Sequence, residues 1–444
     1  MTDTAETTIS QTLTHSRYPA YKDSGVDWLG EIPAHWELKR AKYACDINLT
    51  SLAENTSKAF RFKYVDIGNV TLEEGITQTE EFEFKNAPSR ARRIAKSGDT
   101  VISTVRTYLK AIDYIDEQKS EYVYSTGFAV LSPSKFIAPK FLAMAVRSDS
   151  FTEQVAAYSK GMSYPAINST ELSRLFLPIP PLAEQTRIAD FLDRKTVQID
   201  QVIAQKERLI ELLNERRQVM INRAVTRGLN PIAPMKDSGS DRGDARWIGE
   251  IPVHWDMLRI NWLFTEKDET NYPDLPLLIV SINSGVTVRD MDDENRQQLA
   301  EDFNVYKRAL VGDISFNKMR MWQGAVGVVP QDGLVSPDYV VARPNDFINS
   351  TYYGFLFRTR EYLAEFVKKS RGIVWDRNRL YWDDFKSIFA IVPPLEEQHQ
   401  IVDFLNTKNE EITFASDKVK NQIQKPQELK STLINSAVTG KIKV

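Results

Sequence analysis

Apolar positions fall into two kinds of pattern along this chain, and each kind occurs twice. After PPL at residues 180–182, positions 188, 192, 195, 199, 202, 206, 209, 213, 216 and 220 alternate steps of four and three, and seven of the ten are apolar. That is the seam of a long amphipathic helix of coiled-coil type. Charged residues such as Asp193, Arg194, Lys206, Glu207, Arg208, Glu211, Glu215 and Arg216 supply its other faces. The prolines start it, because a proline at the first helical turn loses no hydrogen bond. Gly228 is a plausible stop. After PPL at 393–395 the seam returns as Ile401, Leu405, Lys408, Ile412, Ala415, Val419 and Gln422, then meets Pro426. An interior proline costs about 3 kcal/mol, so a break or bend is predicted there, with the helix resuming to Leu433. A span of about 45 residues at about 1.5 Å each reaches roughly 65 Å. Two such helices in one chain can cover each other's stripes, most simply antiparallel.

Between the helical stretches the pattern shortens. Apolar and β-branched runs at 64–67, 100–103, 128–131, 277–280, 325–329 and 339–341 read as strands. Residues 139–146, 151–157, 352–358 and 361–367 read as helices. Glycine-broken loops at 159–169 (SKGMSYPAINS) and 370–380 (SRGIVWDRNRL) each precede a last short strand, LFLPIP or IFAIVP.

The doubling is written in the letters as well. WLGEIPAHW (28–36) returns as WIGEIPVHW (247–255), and KDSG (22–25) returns at 236–239. PPLAEQTRIADFLDRK (180–195) returns as PPLEEQHQIVDFLNTK (393–408), and INRAVTRG (221–228) as INSAVTG (434–440). A GD step recurs at 98–99 and 312–313. Internal repetition at this scale sets the architecture. The framing pieces are nearly identical, while the stretches between them, about 37–178 and 256–391, share little beyond the GD step. One scaffolding task repeated, with two different recognition tasks, is the economical explanation; simple drift of a duplicated domain is the bland one.

The 444 residues have an ordinary apolar fraction, 42%, and a net charge of −3. No run approaches the roughly 18 apolar residues of a membrane span. The N-terminal stretch is polar, unlike a signal peptide. A single cysteine, Cys45, fits a reducing cytoplasm and reads as a small buried hydrophobe. None of His15, His35, His254 and His399 stands in metal-ligand spacing. His35 and His254 share one slot of the repeated phrase, where a structural hydrogen bond is expected.

Local charge points elsewhere than the total. Residues 85–110 hold seven basic side chains (Lys85, Arg90, Arg92, Arg93, Lys96, Arg106 and Lys110) against Asp99 alone. Residues 358–386 hold eight against five acids, interleaved with Trp375, Tyr381 and Trp382, and Lys318, Arg320, Trp322 and Gln323 follow the second GD step. Such clusters suit phosphate neutralisation and base-edge contacts, although a solvated charged face is the commoner meaning of any one of them. The residues marked for DNA are Arg90, Arg92, Arg93, Lys96, Arg106, Lys110, Lys160 and Tyr164 in the first insert. In the second they are Lys318, Arg320, Gln323, Arg371, Arg377, Asn378 and Arg379. IPPL and VPPL lack the polar and aromatic flanks of an adenine methyltransferase tetrapeptide, and no nucleotide-binding glycine loop occurs. A binding and scaffolding protein follows more simply than an enzyme; a coiled-coil adaptor for protein or sugar is the other alternative.

GEIPAHWELKR and GEIPVHWDMLR, the two PPLxEQ helices and the two AVT closures together resemble the specificity subunit of type I DNA restriction–modification systems. The resemblance covers nearly the whole chain after residue 20. It implies an α+β fold: two globular mixed α/β target-recognition domains separated by two long antiparallel coiled-coil helices, in a pseudo-twofold internal repeat. The expected divisions are a flexible leader at 1–19, a first target-recognition domain at 20–178, a central helix at 179–230, a second domain at 231–391 and a C-terminal helix at 392–444. Each domain would read one half of an asymmetric, bipartite site on double-stranded DNA. The helices would set the spacer and dock two methyltransferase subunits and, through them, two restriction subunits. Catalysis, with S-adenosylmethionine, ATP and magnesium, would lie in those partners, and this chain would carry no cofactor.

Overall fold

A computed structural model describes residues 16–240, 243–289, 303–372 and 378–444. The chain divides into two compact units, residues 1–207 with 421–444, and residues 208–420. Both divisions fall inside the long helices, Leu182–Arg227 and Leu395–Val438. Each unit therefore combines one insert with the opening half of one long helix and the closing half of the other.

In the first unit a four-stranded antiparallel sheet runs in the order Ile112–Tyr114, Thr100–Ser103, Phe128–Pro133, Cys45–Ile47. In the second, Val326–Val328, Ile314–Asn317, Tyr339–Pro344 and Phe264–Lys267 take the same order. Every residue of Thr100–Ser103 is buried, as is Ile314–Phe316, so both strands are covered on both faces. The GD step initiates both strands. Gly98 and Gly312 take positive φ (95° and 86°), and the next carboxylate, Asp99 or Asp313, accepts the N–H of Lys96 (2.8 Å) or Leu310 (2.9 Å). The inserts thus share more than the GD step. Arg147 and Arg358, each closing the first of two helices (Pro139–Arg147; Ser350–Leu356 and its C-cap turn), are half or more buried and donate to a carbonyl of a neighbouring turn, Leu72 and Ile282.

The repeated phrases converge within each unit. Trp36 Nε1 (3.2 Å) and His35 Nε2 (2.9 Å) engage Glu184 of PPLAEQ, and Trp255 Nε1 (2.9 Å) and His254 Nε2 (2.8 Å) engage Glu397 of PPLEEQ. The histidines have the structural role their shared slot suggested. The next residue of each motif, Gln185 or Gln398, is fully buried. Its amide donates to Pro180 or Pro393 (both 2.8 Å) and accepts from the backbone N–H of Ala138 (2.7 Å) or Asn349 (2.8 Å). A buried amide must be satisfied on both sides, which explains its strict repetition. The third phrase crosses over. Gly440, closing the second long helix, sits against Pro33 and Trp36, whereas Gly228, closing the first, sits against Glu397 and Trp255.

Inside each unit the helix halves run antiparallel. Lys430 pairs with Asp200 (2.7 Å) and Lys206 with Gln422 (2.9 Å) in the first unit; Arg217 donates to Thr413 (2.8 Å) in the second. Ile188, Leu192 and Ile199 of the seam are buried with Leu433, Ile434, Ala437 and Val438, while Leu209 and Leu212 stay exposed.

The second long helix does not break at Pro426. It is continuous to Val438, beyond Leu433. Proline forfeits one backbone hydrogen bond, but the turns after it are anchored: Lys430 to Asp200, Ser431 to Asp149 (2.7 Å), Asn435 to the backbone N–H of Ser150 (3.1 Å). Tertiary contacts override the local penalty. The leader drawn to residue 19 has a packed end, because Tyr18 is buried and donates to Glu184; His15 lies outside the described residues.

Candidate nucleic-acid interface

The strand after each GD step ends at a loop, and a second loop is stitched to it. In the first unit Thr104 donates to Gly127 through its N–H (2.7 Å) and hydroxyl (2.8 Å) and accepts from Ile167 N–H (2.9 Å). Thr107 bonds Pro165 O (3.3 Å) and Ser159 Oγ (2.9 Å). The loop at 159–169 is itself closed by the bridge of Lys160 with Ala166. Arg106 and Lys110 flank the turn Thr107–Leu109 with left-handed backbones, φ 52° and 46°. Each such non-glycine residue costs about 1 kcal/mol, so the stitching holds a strained turn. Its product is a surface of paired cations and aromatics. Arg106 lies 5.0 Å from the Tyr164 ring, beside exposed Tyr108 (60%), Tyr164 (61%) and a fully exposed Met162.

The second unit repeats the joint with other side chains. Lys318 O accepts from Leu380 N–H (2.9 Å), the position-for-position counterpart of Thr104 and Ile167. Arg371 and Arg379 close the loop by a bridge, and Arg379 Nη2 reaches Met319 Sδ (4.0 Å). Arg320 and Gln323 are exposed, and Trp322 Nε1 donates to Met319 O (2.9 Å). Burial, then the charge of Lys307, holds the Lys318 ammonium below the usual lysine range. Behind the loop, Arg343 braces Asp313 (3.1 Å) and Glu269 (2.8 Å).

The structure gathers Arg106, Lys110, Lys160 and Tyr164 around one joint and Lys318, Arg320, Gln323, Arg371, Asn378 and Arg379 around the other. Arg90 lies on the same side as the first joint, since its carbonyl accepts from Thr126, next to Gly127. Lys96 does not join them: it stands at the opposite end of Thr100–Ser103, about 10 Å away at about 3.3 Å per strand residue. Arg92 and Arg93 lie on the edge strand Ala91–Ile94 of a second sheet. Arg92 covers the Phe84 ring (4.8 Å), and burial lowers the Arg93 pKa while leaving its Nε without a partner. Arg377 lies outside the described residues. Lys160 and Lys110 rest against Glu171 (3.0 Å) and Asp149 (3.4 Å). Such surface pairs are weak and can be exchanged for phosphate. Counting basic residues missed Tyr108 and Met162; aligning the two exits from the GD strands would have found Tyr108.

No group of three or more His, Cys, Asp or Glu poised for a metal occurs among the described residues, and no helix among them is long and apolar enough to cross a membrane. Cys45 is buried and donates to Ala41 O (3.4 Å); burial pushes its thiol up to about 12.

The chain is similar to a protein of Methanocaldococcus jannaschii named for the specificity subunit of the type I restriction enzyme MjaX, 24% identical over 94% of this chain and 96% of that one. It is also similar to the EcoKI specificity subunit of Escherichia coli K12, 23% identical over 70% and 68%. A solved chain from a structure of complex assembly and conformational transition in a type I R-M system shares the fold, with a TM-score of 0.65 and 22% identity over 92% of this chain and 98% of that one. The pattern of the type I restriction modification DNA specificity domain matches residues 45–212 and again 259–425. With one copy of that domain in each half, the chain belongs to the type I restriction–modification DNA specificity family.

Proposed function

We propose that this chain is the sequence reader of a type I restriction–modification complex, with each unit reading one half of an asymmetric bipartite site. The observation that carries the reading is the doubled loop joint. The same backbone bond, Ile167 to Thr104 and Leu380 to Lys318, fixes two surfaces with different side chains. Like scaffolds place the loops in like manner; unlike side chains recognise different bases. Arg106, Arg320 and Gln323 are free to reach base edges in the major groove, where arginine suits guanine and glutamine suits adenine. Arg90, Lys110 and Lys160 suit phosphates.

In this reading the long helices receive two methyltransferase subunits, through which two restriction subunits join. Leu209, Leu212, Val219 and Phe414 are exposed apolar positions on the helices of the second unit, available to a partner. S-adenosylmethionine, ATP and magnesium serve the partner subunits, and this chain supplies the address. Methylome sequencing of the host with and without the gene tests the proposal. One bipartite adenine motif disappears on deletion, and Arg320→Ala relaxes one half of that motif only. An unchanged methylome on deletion, or methyl transfer by the purified chain alone, would sink it.

A further inference from the structure

Where the closing half of a long helix meets the helix pair of its insert, the two units differ in charge. In the first unit the joint is neutralised. Asp149 takes Ser431 (2.7 Å) and Lys110 (3.4 Å), and Asp200 takes Lys430 (2.7 Å). Carrying the repeat across by position, the second unit replaces both carboxylates. Arg360 stands for Asp149, Thr413 for Asp200, Arg217 for Lys430 and Arg223 for Ser436. The result is a groove of about 1220 Å³ lined by Arg217, Arg223, Arg227, Arg358 and Arg360, with Glu361 as the only carboxylate among the described residues that line it.

The demands on these arginines are unequal. Glu361 is taken by Asn222 (2.6 Å), Arg227 by Glu250 (3.4 Å) and Arg358 by backbone carbonyls, Asn283 O (3.1 Å) among them. Arg217 reaches Thr413 through Nη2, but its buried Nε has no partner. Arg223 and Arg360 are exposed, and neither side chain forms an ion pair or hydrogen bond among the described residues. Gln323, at the end of the reading loop, lines the same groove, so the cationic wall continues the surface assigned above to bases.

We propose that this arginine-lined groove of the second unit holds a phosphodiester segment of the duplex beside the half-site read by that unit. Arginine forks match phosphate oxygens, and contiguity with Gln323 selects DNA over an acidic segment of a partner protein. The inference rests on the DNA-reading function. It adds that the two ends of the site are gripped through different phosphate contacts, those of the second unit lying in this groove.

The test uses the full chain, alone and assembled with its methyltransferase subunits. Arg223→Ser with Arg360→Asp installs the residues found at the equivalent positions of the first unit. Duplex binding is measured as a function of salt, on the methylated motif and on a scrambled one. At about 0.9 per phosphate, the log–log slope becomes shallower by about 1.8 on both duplexes, the motif stays unchanged, and Arg223→Lys with Arg360→Lys retains the slope. An unchanged slope with selective binding intact overturns the groove alone. Loss of methyltransferase assembly with an unchanged slope overturns it too, in favour of an acidic protein segment. Wild-type binding without sequence preference, but with the slope difference, would overturn the reading above and leave the groove standing.

Discussion

Glu184 and Glu397 perform one task in different company. Glu184 accepts from Trp36, His35 and Tyr18 and its side chain is 7% exposed; Glu397 accepts from Trp255 and His254 and is 22% exposed. The position matching Tyr18 in the second unit is Ile232, 87% exposed. Burial alone would push the Glu184 carboxyl up, but hydrogen bonds from Tyr18, His35 and Trp36 outweigh it and hold the pKa below the usual carboxylate range. A duplicated lock keeps its two essential donors, indole and imidazole, and tolerates variation in the third. The first unit should therefore depend more heavily on its lock.

Paired substitutions separate the two units. The largest effect is expected at the closing glycines. Gly440 has φ 74°, and an added Cβ would stand 2.3 Å from Pro33; at Gly228 (φ 73°) the nearest atom is Glu397 Oε1, at 2.9 Å. Gly440→Ala should cost about 3–4 kcal/mol and Gly228→Ala about 2, from left-handed strain plus overpacking. Hydrogen exchange resolved by unit reads both; equal losses would refute the asymmetry.

Next come Glu184→Gln, at about 2–3 kcal/mol, and Glu397→Gln, at about 1, as charge-assisted hydrogen bonds weaken. Because the folded pKa of Glu184 is depressed, its contribution is complete above the ordinary glutamate value of about 4.3. It drains as pH falls through the folded value. Urea unfolding between pH 7 and 3 should show the gap between wild type and Glu184→Gln closing in acid.

Arg106→Ala and Arg320→Ala should each cost about 1–3 kcal/mol of base discrimination, at opposite halves of the methylated motif. Both acting on the same half would break the correspondence of units with half-sites. The smallest effect is a gain. Pro426→Leu, which installs the residue found at Leu213, should stabilise the first unit by about 1 kcal/mol, less than the full proline penalty because anchored turns already follow it. Calorimetry of the variant reads the difference.

The doubled frame was legible in the sequence, because a buried tryptophan, glutamate or glutamine with one obligatory partner cannot drift. The partners themselves were not: Trp36 and Glu184 lie 148 positions apart, and no local pattern joins them. Pro426 misled because propensity speaks for an isolated helix, and the anchors at Asp149, Ser150 and Asp200 are distant in sequence. Arg147 and Arg358 were readable as a repeated pair but hidden among divergent neighbours. Basic residues were counted correctly yet not located: Lys96 and Arg106, ten positions apart, sit at opposite ends of a buried strand.

The crossing of the closing phrases also fixes an order of birth. Residues 208–420 are contiguous, so on the ribosome the second unit has all its parts before the first, whose Trp36 must await Gly440. Domains that are continuous in sequence can fold as they emerge; this first unit instead waits, half-built, through some 230 further residues. A premature stop near residue 421 would leave the later-made unit whole and injure the earlier-made one.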